Sequence, residues 1–333
     1  MIFQATFWRK FNEVHKEYQY VMVCHDFYNY SNALNYAQIN QFEKIIPLCK
    51  NVLFIIEAGQ STVEEYRKLN QFSAVQELKE LCQKLNHSIQ ALDLRYKKTR
   101  SYYQCLKALN YSEQKQFDEL DQRLQKSGWT TKALAQEFFE TYDNIYNLIK
   151  NAEEKEILTS PFAASLYNTL DSIKNSWNDE LQRWQTYEGT LCSYMQTYNC
   201  LTQDYLMGVA SFDTSLLAIK MFLETMTTQQ KLVVICAGHW VSQTIEHFFQ
   251  NAHCKLLETT GNNFDPNKDR IIIPADIAPY PSKHTQYFIY AEKLQKIDGT
   301  EIKPIEPDFF DRFIDPEKYV LQSWWKKLVQ FFK

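Results

Sequence analysis

Asp26, Glu57, Asp93 and His239 are the residues around which chemistry can be built, with His25, Tyr28 and Arg95 close beside them in sequence. Each group follows a short apolar run: Tyr20–Cys24, Val52–Ile56, Ile89–Leu94 and Leu232–Cys236. Runs of that length, rich in β-branched residues, read as buried strands, and ligands bind at the carboxyl ends of strands in open α/β sheets. Carboxylates and imidazoles gathered there can bind a divalent metal through nitrogen and oxygen and activate a water. Without a metal, a carboxylate–histidine pair can serve as general base on water, with Arg95 steadying a developing anion. The plainer alternative is structural: Glu57 and Asp93 cap the following helices or pair with Arg95, and His239 packs at a strand–helix turn.

The stretch KLVVICAGHWVSQTIEHFFQ, Lys231–Gln250, carries the clearest of these signals. Its apolar run ends in Ala237-Gly238, His239 follows, and Val241, Ile245, Phe248 and Phe249 then recur at helical spacing. Upstream, Tyr20–Cys24, a helix from Ser31 to Cys49, Val52–Ile56, a helix from Thr62 to Leu85, and Ile89–Leu94 make β-α-β-α-β. Short connections of this kind signal a parallel sheet with right-handed crossovers. Residues 1–19 read as an amphipathic helix with Phe3, Phe7, Phe11 and Val14 on one side.

Strand signals then stop. Helices are expected at Ser112–Gln125, Thr131–Ala152, Pro161–Trp184, Tyr187–Leu206 and Asp213–Met226, with Gly128, Gly189 and Gly208 between them. The expected fold class is therefore α/β and helix-rich: a mainly parallel sheet flanked by helices, with a long all-α insertion between the third and fourth strands. Residues 1–97 would form the first half of the core, 98–230 the insertion, and 231–333 the second half. That last part holds expected strands at Lys255–Thr259 and Arg270–Ile273, an undecided element at Tyr287–Tyr290, and an aromatic helix at Pro316–Lys333 expected to dock on the body.

Composition narrows the function classes. Across 333 residues the net charge is -4, and the 22 Phe, 21 Tyr and 7 Trp are not interleaved with Lys or Arg, which argues against a nucleic-acid partner. Only 7 Gly and 9 Pro favour long helices over tight turns. The eight cysteines form no C-x-x-C pair and read as reduced buried thiols. Cys24 and Cys236 end strands beside a histidine, yet inside apolar runs, where a thiol acts as a small hydrophobe rather than a nucleophile. No stretch is apolar enough to span a membrane, and the first residues lack a signal-peptide core, so a cytoplasmic protein is expected, with secretion lacking a standard signal as the alternative. G-x-S-x-G, G-x-x-x-x-G-K-[ST] and G-x-G-x-x-G are all missing, and His239 and His247 are eight apart rather than four.

Taken in order, VMVCHDFYN, FIIEAG, IQALDLR and VVICAGHW, with the helix FDTSLLAIKMFLE before the last, resemble the erythromycin-esterase-like, ChaN-like and TraB/Tiki-like proteins. The resemblance covers about 130 residues and none of the helical block. It departs at Tyr28, where the pattern has histidine, at a missing glycine beside it, and at His239, which directly follows Gly238. It implies a polar or metal-binding pocket, and an activity of ester or peptide cleavage or of haem binding. Glu57, His239 and Asp26 are then the catalytic candidates, Tyr28, Asp93 and Arg95 the substrate-binding ones, and His25, Asp26 and His239 the ligands of a divalent metal. Three readings stay open: a hydrolase on a small-molecule or peptide substrate; a degenerate relative binding a protein partner through the helical insertion; or a haem- or small-ligand-binding protein using His25, Tyr28 or His239 as axial ligand.

Overall fold

In a computed structural model, residues 2–12, 17–26, 32–58, 74–92, 114–126, 128, 130–198, 203–261 and 320 are described. Outside them lie Tyr28, Asp93 and Arg95, the expected strand Arg270–Ile273, Tyr287–Tyr290, and all of Pro316–Lys333 but Val320. The fold is α/β and helix-rich, with a mixed, mainly parallel sheet and a helical insertion among its strands. The chain divides into two compact units: residues 1–92, 228–273 and 287–333, and residues 93–227 with 274–286.

The first unit is built on six strands: β1 (Ile2–Asn12), β2 (Glu17–Asp26), β3 (Val52–Ile56), β4 (Ser88–Ala91), β5 (Leu232–Gly238) and β6 (Lys255–Gly261). Their order across the sheet is β4-β3-β5-β2-β1-β6. β4, β3, β5 and β2 are parallel, and β1 runs antiparallel to both β2 and β6. From β2 the chain moves to β3 and outward to β4, then returns to insert β5 between β3 and β2. From β5 it leaves the other way, to β6. The direction of the connections reverses at β5, and it is at the carboxyl ends of strands at such a reversal that open α/β sheets bind ligands.

Among the described residues, the helices of this unit include α1 (Asn32–Ile45), extended by a 3-10 turn at Ile46–Leu48, α2 (Ala74–Lys84) and α8 (His239–Asn251). On one face, Phe42, Ile45, Ile46, Val75, Leu78 and Cys82 close over Phe7, Met22, Cys24, Phe54, Ile56, Val234 and Cys236. Helical Val320 packs on this same core. The alternate strand residues, Thr6, Trp8, Val21, Val23, His25, Val233 and Ile235, turn to the other face. There α8 packs on β2, β5 and β6, and Phe249 meets the Trp8 ring with centroids 5.7 Å apart.

The expected helix over residues 1–19 is corrected: β1 and the start of β2 occupy that stretch. A four-residue spacing of Phe3, Phe7 and Phe11 satisfies a strand's period of two as well as a helix's 3.6. What separates the two is that Ala5, Thr6, Phe7 and Trp8 are buried in succession, as a strand covered on both faces requires. The end of β1 is fixed by Gln38 of α1, whose Oε1 accepts from Ile2 N at 2.8 Å and whose Nε2 donates to Ile2 O at 2.6 Å.

The second unit contains α3 (Gln114–Lys126), α4 (Thr131–Glu154), α5 (Ser160–Thr186), α6 (Leu191–Thr197) and α7 (Gln203–Thr227). α4 packs against α5 and α7 through Leu134, Phe138, Ile145 and Ile149, one stripe at helical spacing. Phe162 of α5 and Phe222 of α7 meet edge to face at 5.6 Å. The expected helix Tyr187–Leu206 is corrected to the short α6, and α7 starts at Gln203, earlier than the expected Asp213, running unbroken past Gly208. A single helical glycine costs about 1 kcal/mol, which a buried helix absorbs.

α6 starts late because Thr190 stays extended as its N-cap, in a reciprocal capping box with Ser193. Thr190 bridges Thr130, the N-cap of α4, while Thr131 N donates to Gly189 O at 2.9 Å and the Thr190 hydroxyl donates to Asp121 of α3. Two helix starts are thus tied together around Gly189. A Cβ there would lie 2.5 Å from Tyr187 Cε1 and 2.6 Å from Ser193 Oγ, both already engaged. We expect Gly189→Ala to destabilise the helical unit by about 1–3 kcal/mol, the range of an overpacked site. Chemical denaturation followed by circular dichroism measures this, and an unchanged midpoint would refute the tie.

One expectation about cysteine also changes. Cys192 of α6 is disulfide-bonded, whereas Cys24, Cys49, Cys82, Cys236 and Cys254 are free thiols. Intact mass under non-reducing conditions should fall short of the fully reduced mass by two hydrogen atoms for that bond.

Candidate active site at the end of strand β5

β5 is buried on both faces until Gly238, and its neighbours bring one polar group each to its end. From β3, the Glu57 carboxylate accepts the Gly238 N–H at 2.6 Å, while Glu57 N donates to Cys236 O at 2.8 Å. From β2, His25 Nδ1 lies 2.9 Å from Nδ1 of His239, the first residue of α8. Glu57, His25 and His239 are therefore drawn together around Gly238. Asp26 stands in register with Gly238 but interacts with Cys236 on the opposite face of the sheet.

The hydrogen bonding continues inward from His25. Its Nε2 is 2.7 Å from Glu246 Oε1, and the same oxygen accepts from the Thr6 hydroxyl. Thr6 Oγ1 in turn accepts from Trp8 Nε1–H at 2.8 Å. An indole N–H only donates, so Thr6 must turn its own hydrogen to the one oxygen in reach, Glu246 Oε1. With Glu246 ionised, that oxygen accepts from both Thr6 and His25. His25 Nε2 is therefore N–H, and in the neutral ring Nδ1 is an acceptor. His239 must then donate Nδ1–H to it, which leaves the lone pair of His239 on Nε2.

With Glu246 ionised, the polarity of five side chains runs one way, from Trp8 outward to His239. One added proton reverses its outer half: it enters at His239 Nε2, and His25 becomes the imidazolium, donating Nδ1–H back to His239. His25 is fully buried and His239 retains 7% exposure, though its Nε2 atom is itself buried, so His239 is the last member of the relay and a substrate water must enter a closed site to reach it. A carboxylate buried behind an imidazole stabilises the charge that the second form carries.

His239, Ser242 and Glu246 stand at i, i+3 and i+7 of α8, on the face pressed to the sheet. Ser242 donates to Ala237 O at 3.1 Å and lies 3.4 Å from Cys24 O, tying the ends of β5 and β2 under the helix. Sequence reasoning missed both Glu246 and Thr6. For Glu246 the three- and four-residue spacing from His239 was available. For Thr6 the misread first strand concealed which face it occupies.

His25 does not fit the role of metal or haem ligand as it stands, and His239 could offer only Nε2. Both nitrogens of His25 are engaged, and the two Nδ1 atoms face one another at hydrogen-bond distance. Among the described residues, no group of three or more His, Cys, Asp or Glu is arranged to hold a metal ion. Tyr28, Asp93 and Arg95 lie outside the described residues.

The thiols beside the site are poised against reaction. Hydrogen bonding to Cys24 and then burial push Cys236 well above the ordinary thiol range. Burial drives Cys49 and Cys82 to about 12, and Cys254 to about 11. A raised thiol pKa leaves the neutral, unreactive form at pH 8. Iodoacetamide at that pH should leave Cys49, Cys82 and Cys236 unmodified in the folded chain, and Cys24 as well because it is fully buried, with Cys254 reacting slowly; rapid labelling of Cys24 or Cys236 would revive them as nucleophiles.

No family model matches the chain, and neither does any curated protein or solved structure.

Proposed function

We propose that the chain is a hydrolase in which His239 Nε2 acts as general base on water, backed by His25 and Glu246. The observation that supports this most is the buried, directional hydrogen-bond relay that ends at a histidine on the carboxyl edge of a parallel sheet. A histidine held in one tautomer, with a carboxylate behind it, is what base catalysis at neutral pH requires. Water attacks the carbonyl carbon of the substrate as His239 Nε2 takes its proton, and the same proton then goes to the leaving group. His25 and Glu246 hold the charge between the two transfers.

Glu57 keeps Gly238, and so the first turn of α8, in place. Tyr28, Asp93 and Arg95 are assigned to the substrate side from their sequence positions alone, with Arg95 the candidate for the developing anion, whereas Asp26 faces Cys236 across the sheet. The resemblance to erythromycin-esterase-like and TraB/Tiki-like proteins points to the same class of small ester or peptide substrates.

No described helix is long and apolar enough to cross a membrane. The disulfide at Cys192 favours an oxidising compartment over the cytoplasm, where such bonds are rare. An extracytoplasmic location accommodates it better than the cytoplasmic alternative.

Hydrolysis of a panel of activated small esters and chromogenic peptides tests the proposal. His239→Ala should lower the rate by about 100- to 10,000-fold, the usual contribution of a general base. His25→Phe should lose most of that, whereas Glu57→Gln should act mainly on stability. A rate indifferent to His239 rules the proposal out.

A further inference from the structure

We infer that Thr6, held by Trp8, is a positioning residue that keeps the relay in its base form. The inference deepens the reading of His239 as a base and takes its significance from it. Thr6 has no place in the machinery by sequence: it sits on β1, between Ala5 and Phe7, with 4% exposure. Its hydroxyl is nonetheless the second donor on Glu246 Oε1, and the Trp8 indole leaves it no other orientation.

The relay has two forms that differ by one proton. In the base form Glu246 is ionised, His25 carries Nε2–H and His239 carries Nδ1–H. In the loaded form the extra proton resides within the chain and His239 carries Nε2–H. A hydroxyl donating to the carboxylate stabilises the ionised oxygen, because hydrogen bonds to charged acceptors are the stronger ones. Without it, Glu246 keeps His25 as its one donor here, and a proton on the carboxyl becomes the cheaper way to satisfy a buried oxygen. His25 Nε2 would then accept, the polarity would run inward, and the base at His239 would already be spent. The device lies outside the reach of substrate, since Trp8 is 2% exposed.

Ionisable neighbours do not supply the same control. Asp26 of β2 is turned to the Cys236 face, and the Glu57 carboxylate at the end of β3 is at the Gly238 amide. On β1, Gln4, Thr6 and Trp8 of this face carry no charge, and Lys10, the next residue along it, interacts with Cys254.

The test needs no substrate. Long-range proton–nitrogen correlation spectra of the full chain at neutral pH report which ring nitrogen of His25 and of His239 carries hydrogen. The unaltered chain and Thr6→Ser should both show His25 as Nε2–H and His239 as Nδ1–H. Thr6→Val, close in shape but without the hydroxyl, should shift the balance toward the loaded form by about tenfold, the scale of one charge-assisted hydrogen bond. Wild-type tautomers in a folded Thr6→Val chain overturn the inference. Should Thr6→Val not fold, Trp8→Phe takes its place: it leaves the hydroxyl but frees its direction, so a mixture of tautomers supports the inference and a wild-type pattern overturns it. A tautomer shift without any ester or peptide hydrolysis would remove the proposed function and leave the role of Thr6 intact.

Discussion

Two imidazole nitrogens can share a hydrogen bond only when one of them carries a proton and the other does not. His25 and His239 meet under that constraint at 2.9 Å, inside a seam of the sheet from which water is largely excluded. Everything around the pair answers to it. The carboxylate of Glu246 decides which nitrogen of His25 is protonated, Thr6 and Trp8 decide the state of the carboxylate, and Ser242 holds the helix that carries two of the partners. A buried polar network that is fully connected specifies one arrangement, whereas a half-connected one is costlier than an apolar core.

Much of the frame was legible in the sequence. The runs VLFII and LVVICA are too short and too β-branched for helices, and each proved to be a strand buried on both faces. His239 at a strand end followed from the turn at Gly238 and the helical spacing after it. The partners of His239 were harder, because they depend on strand order, which periodicity does not encode. β5 follows β4 in the chain yet lies between β3 and β2. Only that placement sets Glu57 and His25 on either side of Gly238. Glu246, on a helix with charged and polar neighbours, looks like any solvated carboxylate until the facing strand is known. Likewise the four-residue rhythm of the first segment fits two periods at once, and tertiary pairing with β2 and β6 decides between them.

The helical unit shows a different economy. Its stripes are ordinary amphipathic helices, readable from spacing alone, but its boundaries are set by side-chain caps. Thr130 and Thr190 each satisfy amides at a helix start, and the pairing of the two threonines makes those starts one structure. Propensity alone carries the expected helix straight through Gly189 and Thr190. The local hydrogen bonds of Thr190 and Ser193 compete with the helix and win there, as short hydroxyl side chains do at caps.

The strand order also bears on how the chain reaches its native state. β5 must enter a slot whose walls, β2 and β3, are synthesised first and separated from it by the whole of residues 93–227. Until it arrives, two apolar strand edges have no partner between them, and they can close on one another or on another molecule. Sheets that depend on such distant pairings fold slowly and are exposed to aggregation on the way. A helical unit that collapses first shortens the effective loop that β5 must close, so a segment without a described strand eases the pairing of the strand that ends at His239.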